Sequence, residues 1–177
     1  MHYSNFLVYF QFIGALSVEF EYISRLNIMF KKILFVCVGN ICRSPTAEYW
    51  AKNELKKGGI SDISVTSAGL KAMKLFPIEH EAKLILDRYG VDASTHCAKQ
   101  IIIRDVMDAE IILTMENWQT EKLLLTFPSC RGKIFCFGKW SDEEISDPYR
   151  KTQEYFERMF ELIKICWNDW QSRLWQG

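Results

Sequence analysis

Apolar positions along this chain fall into two rhythms. Four short runs, KKILFVC (31–37), DISVTSAG (62–69), EIILTM (110–115) and GKIFCFG (132–138), are of strand length and rich in branched or aromatic residues. The first is apolar almost without interruption, as a strand covered on both faces is. Between them lie stretches with helical spacing: SPTAEYWAKNELKKGG (44–59), IEHEAKLILDRYG (78–90), a short RDVMDA (104–109), and ENWQTEKLLLTF (116–127), which stops ahead of Pro128. The chain closes on KTQEYFERMFELIKICWNDWQSRLW (151–175), which sets Phe156, Met159, Phe160, Ile163, Trp167 and Trp170 on one face. In the first helix Ser44 is expected to cap, Pro45 suits the first turn, Glu48 complements the dipole, and Gly58 or Gly59 ends the run.

Strands alternating with helices predict an α/β fold: a three-layer, four-stranded parallel sheet with helices on both faces and right-handed crossovers. In such sheets a ligand sits beyond the carboxyl ends of the strands. A chain of 177 residues suits one well-buried domain, expected over residues 29–177, which show no repeat and no linker. Residues 1–28 behave differently. NFLVYFQFIGALSV is apolar but too short to span a bilayer, and Gln11 interrupts it. No lysine or arginine precedes it, as a secretory signal would require. We read residues 1–28 as an N-terminal extension outside the core domain.

Composition narrows the partners. Lysine plus arginine balances aspartate plus glutamate at 22 each, so no global charge favours nucleic acid or an anionic membrane, and no stable membrane insertion is expected. Anion specificity must be local. The six cysteines (Cys37, Cys42, Cys97, Cys130, Cys136, Cys166) are scattered, without a C-x-x-C pair, and the histidines His2, His80 and His96 lie far apart. That spacing makes neither a disulfide framework nor a zinc site, and it fits a reducing cytoplasm.

The junction CVGNICRS (37–44) carries the chemistry. A loop leading into a helix presents unpaired N–H groups with the positive end of the dipole behind them. Gly39 is expected to supply the unusual backbone angles that gather those groups into a nest. Arg43 offers a planar fork for two phosphate oxygens, and Cys37, ending the first strand, would lie beneath them. The same positive surroundings favour the thiolate, the form that attacks. The reaction this fits is phosphoryl transfer through a cysteinyl phosphate, with Ser44 placed to ease departure of the sulfur. Asp147 in EISDPYRK, returning after the fourth strand, is the candidate acid for the leaving oxygen. Tyr149 offers a flat wall for a ring. Asp142, Glu143 and Glu144 compete for the acid's role but read as a solvated loop. C-x5-R alone is common by chance in a chain with six cysteines; its place at strand end and helix start makes it specific.

VCVGNICRSPTAE, SAG at 67–69 and DPYRK at 147–151 resemble the low-molecular-weight protein tyrosine phosphatases across about residues 29–177. HCAKQI, ILTME and GKIFCFGKW further resemble the bacterial branch that works with tyrosine autokinases of capsule and exopolysaccharide export. The resemblance implies a flavodoxin-like fold of the phosphotyrosine phosphatase I type and no metal or organic cofactor. It implies Cys37 as nucleophile, Arg43 as phosphate clamp, and Asp147 as general acid and then base. Val38, Gly39, Asn40, Ile41, Cys42 and Ser44 would form the phosphate loop, with Ser67 supporting it and Tyr149 lining the cleft. The partner implied is a tyrosine-phosphorylated protein, a cognate kinase. After SAG the sequence departs from the family: LKAMKLFPIEHEA lacks the usual proline–aspartate pair, and Met73, Leu75 and Phe76 compete for the substrate-facing wall, with Met73 favoured. Arg150 follows Tyr149 where eukaryotic members carry a second tyrosine.

Other readings use the same residues. Cys42 either packs or forms a reversible disulfide with Cys37; Cys97, Cys130, Cys136 and Cys166 read as packing residues, His96 as a loop or cap residue, and Trp167, Trp170 and Trp175 as core. An arsenate reductase of the same fold would need two relay cysteines, and Cys130 with Cys136 is the available pair, although Cys136 falls in a buried strand. Phosphoarginine hydrolysis favours threonine at the position of Ile41. A non-catalytic phosphopeptide-binding module would have no need of Asp147.

Overall fold

The structure, a computed structural model, describes residues 30–174. The expected extension 1–28 and Trp175 lie outside the described residues. Phe30–Trp170 form one compact unit, and the site described below lies within it.

Four parallel strands build the sheet: β1 (Lys32–Cys37), β2 (Ser64–Gly69), β3 (Ile111–Thr114) and β4 (Ile134–Cys136), in the order β2-β1-β3-β4. β1 pairs with β2 in register Lys32↔Ser64 to Cys37↔Gly69, and Ile33↔Ile111 to Val36↔Thr114 joins β1 to β3. The helices are α1 (Arg43–Lys57), α2 (His80–Arg88), α3 (Ile103–Asp108), α4 (Asn117–Thr126) and α5 (Gln153–Leu174).

Both faces of β1 are covered, which is why its sequence does not alternate. Leu34 and Val36 join Ala68, Ile112 and Ile134 in a buried cluster closed by Val106 of α3 and Leu123 of α4. On the opposite face Phe35 meets Phe137 edge-on, centroids 5.0 Å apart, and lies 6.4 Å from Trp167 of α5. Trp50 of α1 packs edge-on against Phe160 of α5 at 5.1 Å. The three-layer α/β expectation is met, and the six apolar positions of α5 are all buried.

Three local expectations are not met. Glu48 lies beyond the first turn of α1, which holds no acidic residue, because the helix begins at Arg43. The residue capping α1 is Cys42, and Ser44 lies inside the helix, because the Ser44 hydroxyl is committed to the Cys37 sulfur. The run at 132–138 yields a strand of only three residues. A 3-10 turn over Pro128–Lys133 uses its first positions, and as an edge strand it pairs with β3 alone. Gly58 follows α1, and Gly59 takes the left-handed φ of 72° that closes it.

Candidate active site

The chain from Cys37 to Cys42 turns every carbonyl away from a common centre. Cys37, Val38 and Gly39 oxygens accept from the amides of Leu70, Lys71 and Met73, each at 2.9 Å. Asn40 oxygen accepts from His96 Nε2 at 2.7 Å. Ile41 oxygen accepts from Glu79 N at 2.8 Å and Cys42 oxygen from Thr46 N at 3.1 Å. In a trans peptide the N–H points opposite the C=O, so the amides of residues 38–43 face inward. With the α1 terminus behind them they form an oxyanion nest. Gly69, ending β2, lets the segment 70–73 come this close: a Cβ there would stand 2.6 Å from Val38 O.

The sulfur of Cys37 lies at the floor, 1% exposed. Asn40 N donates to it at 3.2 Å, and Ser44 Oγ stands 2.9 Å away. A chain of hydrogen bonds fixes the direction of that serine contact. Lys99 N donates to Asn40 Oδ1 at 2.8 Å, which orients the amide. Asn40 Nδ2 then donates to Ser44 Oγ at 3.0 Å and to Ser67 Oγ at 2.8 Å. Ser67 donates onward to Glu48 Oε2 at 2.6 Å. Ser44 therefore accepts from the amide and keeps its proton for the sulfur.

Arg43 is 1% exposed and its charge is balanced on two sides. Nη1 donates to Glu116 Oε2 at 2.5 Å and to Ile145 O at 3.1 Å. Nη2 donates to Asp147 Oδ2 at 2.6 Å. Among the described residues the buried Arg43 Nε has no hydrogen-bond partner. Nε and Nη2 lie on one edge of the guanidinium, an edge whose two donors match two oxygens of an oxyanion.

Asp147 stands half-exposed at the mouth, its Oδ1 accepting from Tyr149 N at 3.2 Å. Ile145 N, bonded to Met115 O at 2.9 Å, returns this segment to the end of β3. The mouth opens into a cleft of about 340 Å³ walled by Ile41, Met73, Tyr149 and the stem of Lys71.

Cys37, Arg43, Asp147, Val38, Gly39, Ile41, Cys42, Met73 and Tyr149 all border this cleft. Asn40, Ser44 and Ser67 stand behind it and hold it. Met73, and neither Leu75 nor Phe76, forms the wall. One expectation is corrected. The left-handed residue of the loop is Asn40, with φ 56°, and Gly39 does not have a positive φ. Asparagine tolerates that region and uses its amide at the same position. Cys42 is held well above the ordinary thiol range, first by burial and then by the Cys37 charge, so it stays a thiol beside Cys37. Cys130 and Cys136 are both buried, a poor setting for a mobile relay. Glu144 accepts from Asn117 N at 3.0 Å, and neither it nor Asp142 nor Glu143 borders the cleft.

Glu48, His96 and Glu116 are functional positions that the sequence reading missed. Glu116 lies two residues past the end of β3, at the carboxyl end of a parallel strand, and that placement was the available signal. Glu48 and His96 gave none, since each acts through a partner far along the chain.

The family model described as low molecular weight phosphotyrosine protein phosphatase matches residues 32–176. The chain belongs to that family. Over 147 residues it is 40% identical to the low molecular weight protein-tyrosine-phosphatase Wzb of Salmonella typhimurium, a match covering 82% of this chain and 95% of the relative. It is 35% identical to the probable low molecular weight protein-tyrosine-phosphatase AmsI of Erwinia amylovora, over 82% and 99% of the two chains. The crystal structure of Vibrio vulnificus Wzb in complex with benzylphosphonate superposes with a TM-score of 0.76 at 34% identity, covering 82% of this chain and 99% of that one. Family membership was thus legible from CVGNICRS, SAG and DPYRK.

Proposed function

We propose that this protein hydrolyses phosphotyrosine on proteins in two steps through a phosphorylated Cys37, with residues 29–177 forming the phosphatase domain and residues 1–28 an extension outside it. The observation that carries the reading is the outward turn of six consecutive carbonyls around the Cys37 sulfur. That arrangement leaves a ring of amide donors whose only fitting guest is an oxyanion.

In the first step the sulfur lone pair attacks phosphorus and the phosphorus–phenolate bond breaks. Asp147 enters this step protonated, which loosens its hold on Arg43 Nη2 and lets that nitrogen turn with Nε to the phosphoryl oxygens. Asp147 then gives its proton to the departing phenolate oxygen. In the second step Asp147 takes a proton from water as the water oxygen attacks phosphorus. The sulfur–phosphorus bond breaks, inorganic phosphate leaves, and the Ser44 hydroxyl stabilises the returning thiolate. Ser67 and Glu48 touch no reacting atom, and Asn40 touches the sulfur only through its backbone amide; the three side chains position Ser44 and the loop.

The walls support phosphotyrosine over phosphoserine. The buried sulfur lies in a cleft lined by Met73, Ile41 and Tyr149. An aromatic ring gains contact with these apolar side chains, with Tyr149 as a stacking surface, where a serine ester offers them little. The benzylphosphonate bound to the Vibrio relative is an aryl-methyl phosphonate of the same shape. Isoleucine at position 41 makes the wall apolar, which favours an aromatic ring over a guanidino phosphate.

The resemblance of HCAKQI, ILTME and GKIFCFGKW to the bacterial branch supports a tyrosine autokinase of exopolysaccharide or capsule production as substrate, in the cytoplasm. Among the described residues no helix is long and apolar enough to cross a membrane.

The test is turnover of p-nitrophenyl phosphate and a phosphotyrosyl peptide by wild type and Cys37→Ser. Wild type is expected to turn over both, and Cys37→Ser to lose activity by at least about 10⁴-fold. Equal rates would overturn the mechanism.

A further inference from the structure

A second cleft adjoins the catalytic one. It has a volume of about 450 Å³, larger than its neighbour, and the two share Ile41, Met73 and Tyr149 as a common partition. Its remaining apolar walls are Phe76, Pro77 and Ile78, and Ser94 closes the far side.

Its polar groups are mostly already committed. Glu79 spends its carboxylate on the amides of Glu81 and Ala82, capping α2. Lys83 binds Asp87. His80 stands exposed at the rim. What the cleft offers a guest is apolar surface.

The segment forming it is held in place with some strain. Leu75, a bulky residue, takes a left-handed φ of 69°, a conformation such a residue rarely adopts. Two backbone bonds to Ala98 keep it there: Leu75 N donates to Ala98 O, and Ala98 N donates to Phe76 O, each at 2.9 Å. The result leaves Phe76 55% exposed beside the cleft.

We propose that this second cleft is a specificity subsite that takes a large apolar side chain lying within two residues of the phosphotyrosine in the protein substrate. The proposal rests on the phosphotyrosine reading above, because a phosphotyrosine seated against Tyr149 and Met73 carries its own backbone over the shared partition. The occupant is then a neighbouring residue of the same polypeptide. Aryl phosphates without a peptide fill only the first cleft and do not sense the second.

The experiment compares phosphotyrosyl peptides with alanine on both sides against peptides in which leucine replaces one alanine within two residues of the phosphotyrosine. In wild type, leucine at one of these positions is expected to raise kcat/KM about tenfold over the alanine peptide. Phe76→Ala, which removes a wall, and Ser94→Trp, which fills the space, are each expected to bring that ratio close to 1. A ratio near 1 in wild type, or an unchanged ratio in both variants, overturns the subsite. p-Nitrophenyl phosphate separates the two levels. If wild type hydrolyses it and Cys37→Ser does not, while no leucine preference appears, the subsite alone falls. If neither protein hydrolyses it, the phosphatase reading falls, and the subsite with it.

Discussion

Asn40 makes five hydrogen bonds from one left-handed position: its backbone amide to the sulfur, its carbonyl to His96, and its side chain to Ser44, Ser67 and Lys99. The backbone angle and the side-chain bonds are separable by substitution. Asn40→Gly keeps the angle at no steric cost and loses three side-chain bonds, whereas Asn40→Ala loses the bonds and adds the left-handed penalty. Both are expected to lower kcat/KM by about 10²-fold, because the Ser44 proton loses its direction. Urea unfolding should show the alanine variant less stable than the glycine variant by about 1 kcal/mol. Equal stabilities, or wild-type turnover in either, would contradict this account of the loop. Arg43 obeys a related rule. A buried guanidinium is tolerable only with its partners in place, so Glu116 is part of what holds Arg43 at the cleft.

At the level of elements, the site is a product of how β2 hands over to the following loop. Gly69 pairs with Cys37 across the sheet, and the next residues donate their amides to the phosphate loop. Gly69→Ala would place a methyl 2.6 Å from Val38 O and 3.0 Å from Ala72 Cα, both backbone atoms, so the loop must shift. At least about a tenfold fall in kcat/KM with aryl phosphate is expected, and unchanged kinetics would show that the segment does not shape the nest. Element order was readable from pattern alone, because strands covered on both faces carry long apolar runs and helices carry their own spacing. The start of α1 was misread for a physical reason: Ser-Pro is a good capping pair, but the serine hydroxyl has a stronger partner in the sulfur. Asn40 was named as a site residue, yet its left-handed angle was assigned to Gly39, since glycine is the default for such a turn. Glu48 and His96 were illegible because their bonds span 19 and 56 residues, distances no local pattern encodes; Glu116 had a signal in its place past the end of β3, but its partner lies 73 residues away.

For the whole molecule, buried thiols tie stability to alkaline pH. Burial, as the largest cause, raises Cys166 from the ordinary 9.0 to about 11, and Cys42 and Cys136 shift in the same direction. The folded state therefore holds these protons more tightly than the unfolded chain does. Stability is fully present below pH 9 and is lost as pH rises toward 11, by on the order of 2 kcal/mol from Cys166. The urea midpoint of wild type should fall over that window, and that of Cys166→Ala should fall less. Parallel pH profiles for the two proteins would show that Cys166 is not responsible.

The central claim is that the Cys37 sulfur takes the phosphoryl group. Acid quenching of wild type during steady turnover of p-nitrophenyl phosphate, followed by mass spectrometry of the peptide containing Cys37, tests it most directly. A single phosphoryl group on Cys37, absent before substrate is added, is the predicted result. Unmodified Cys37 throughout turnover, or the phosphoryl group on another residue, would contradict the account.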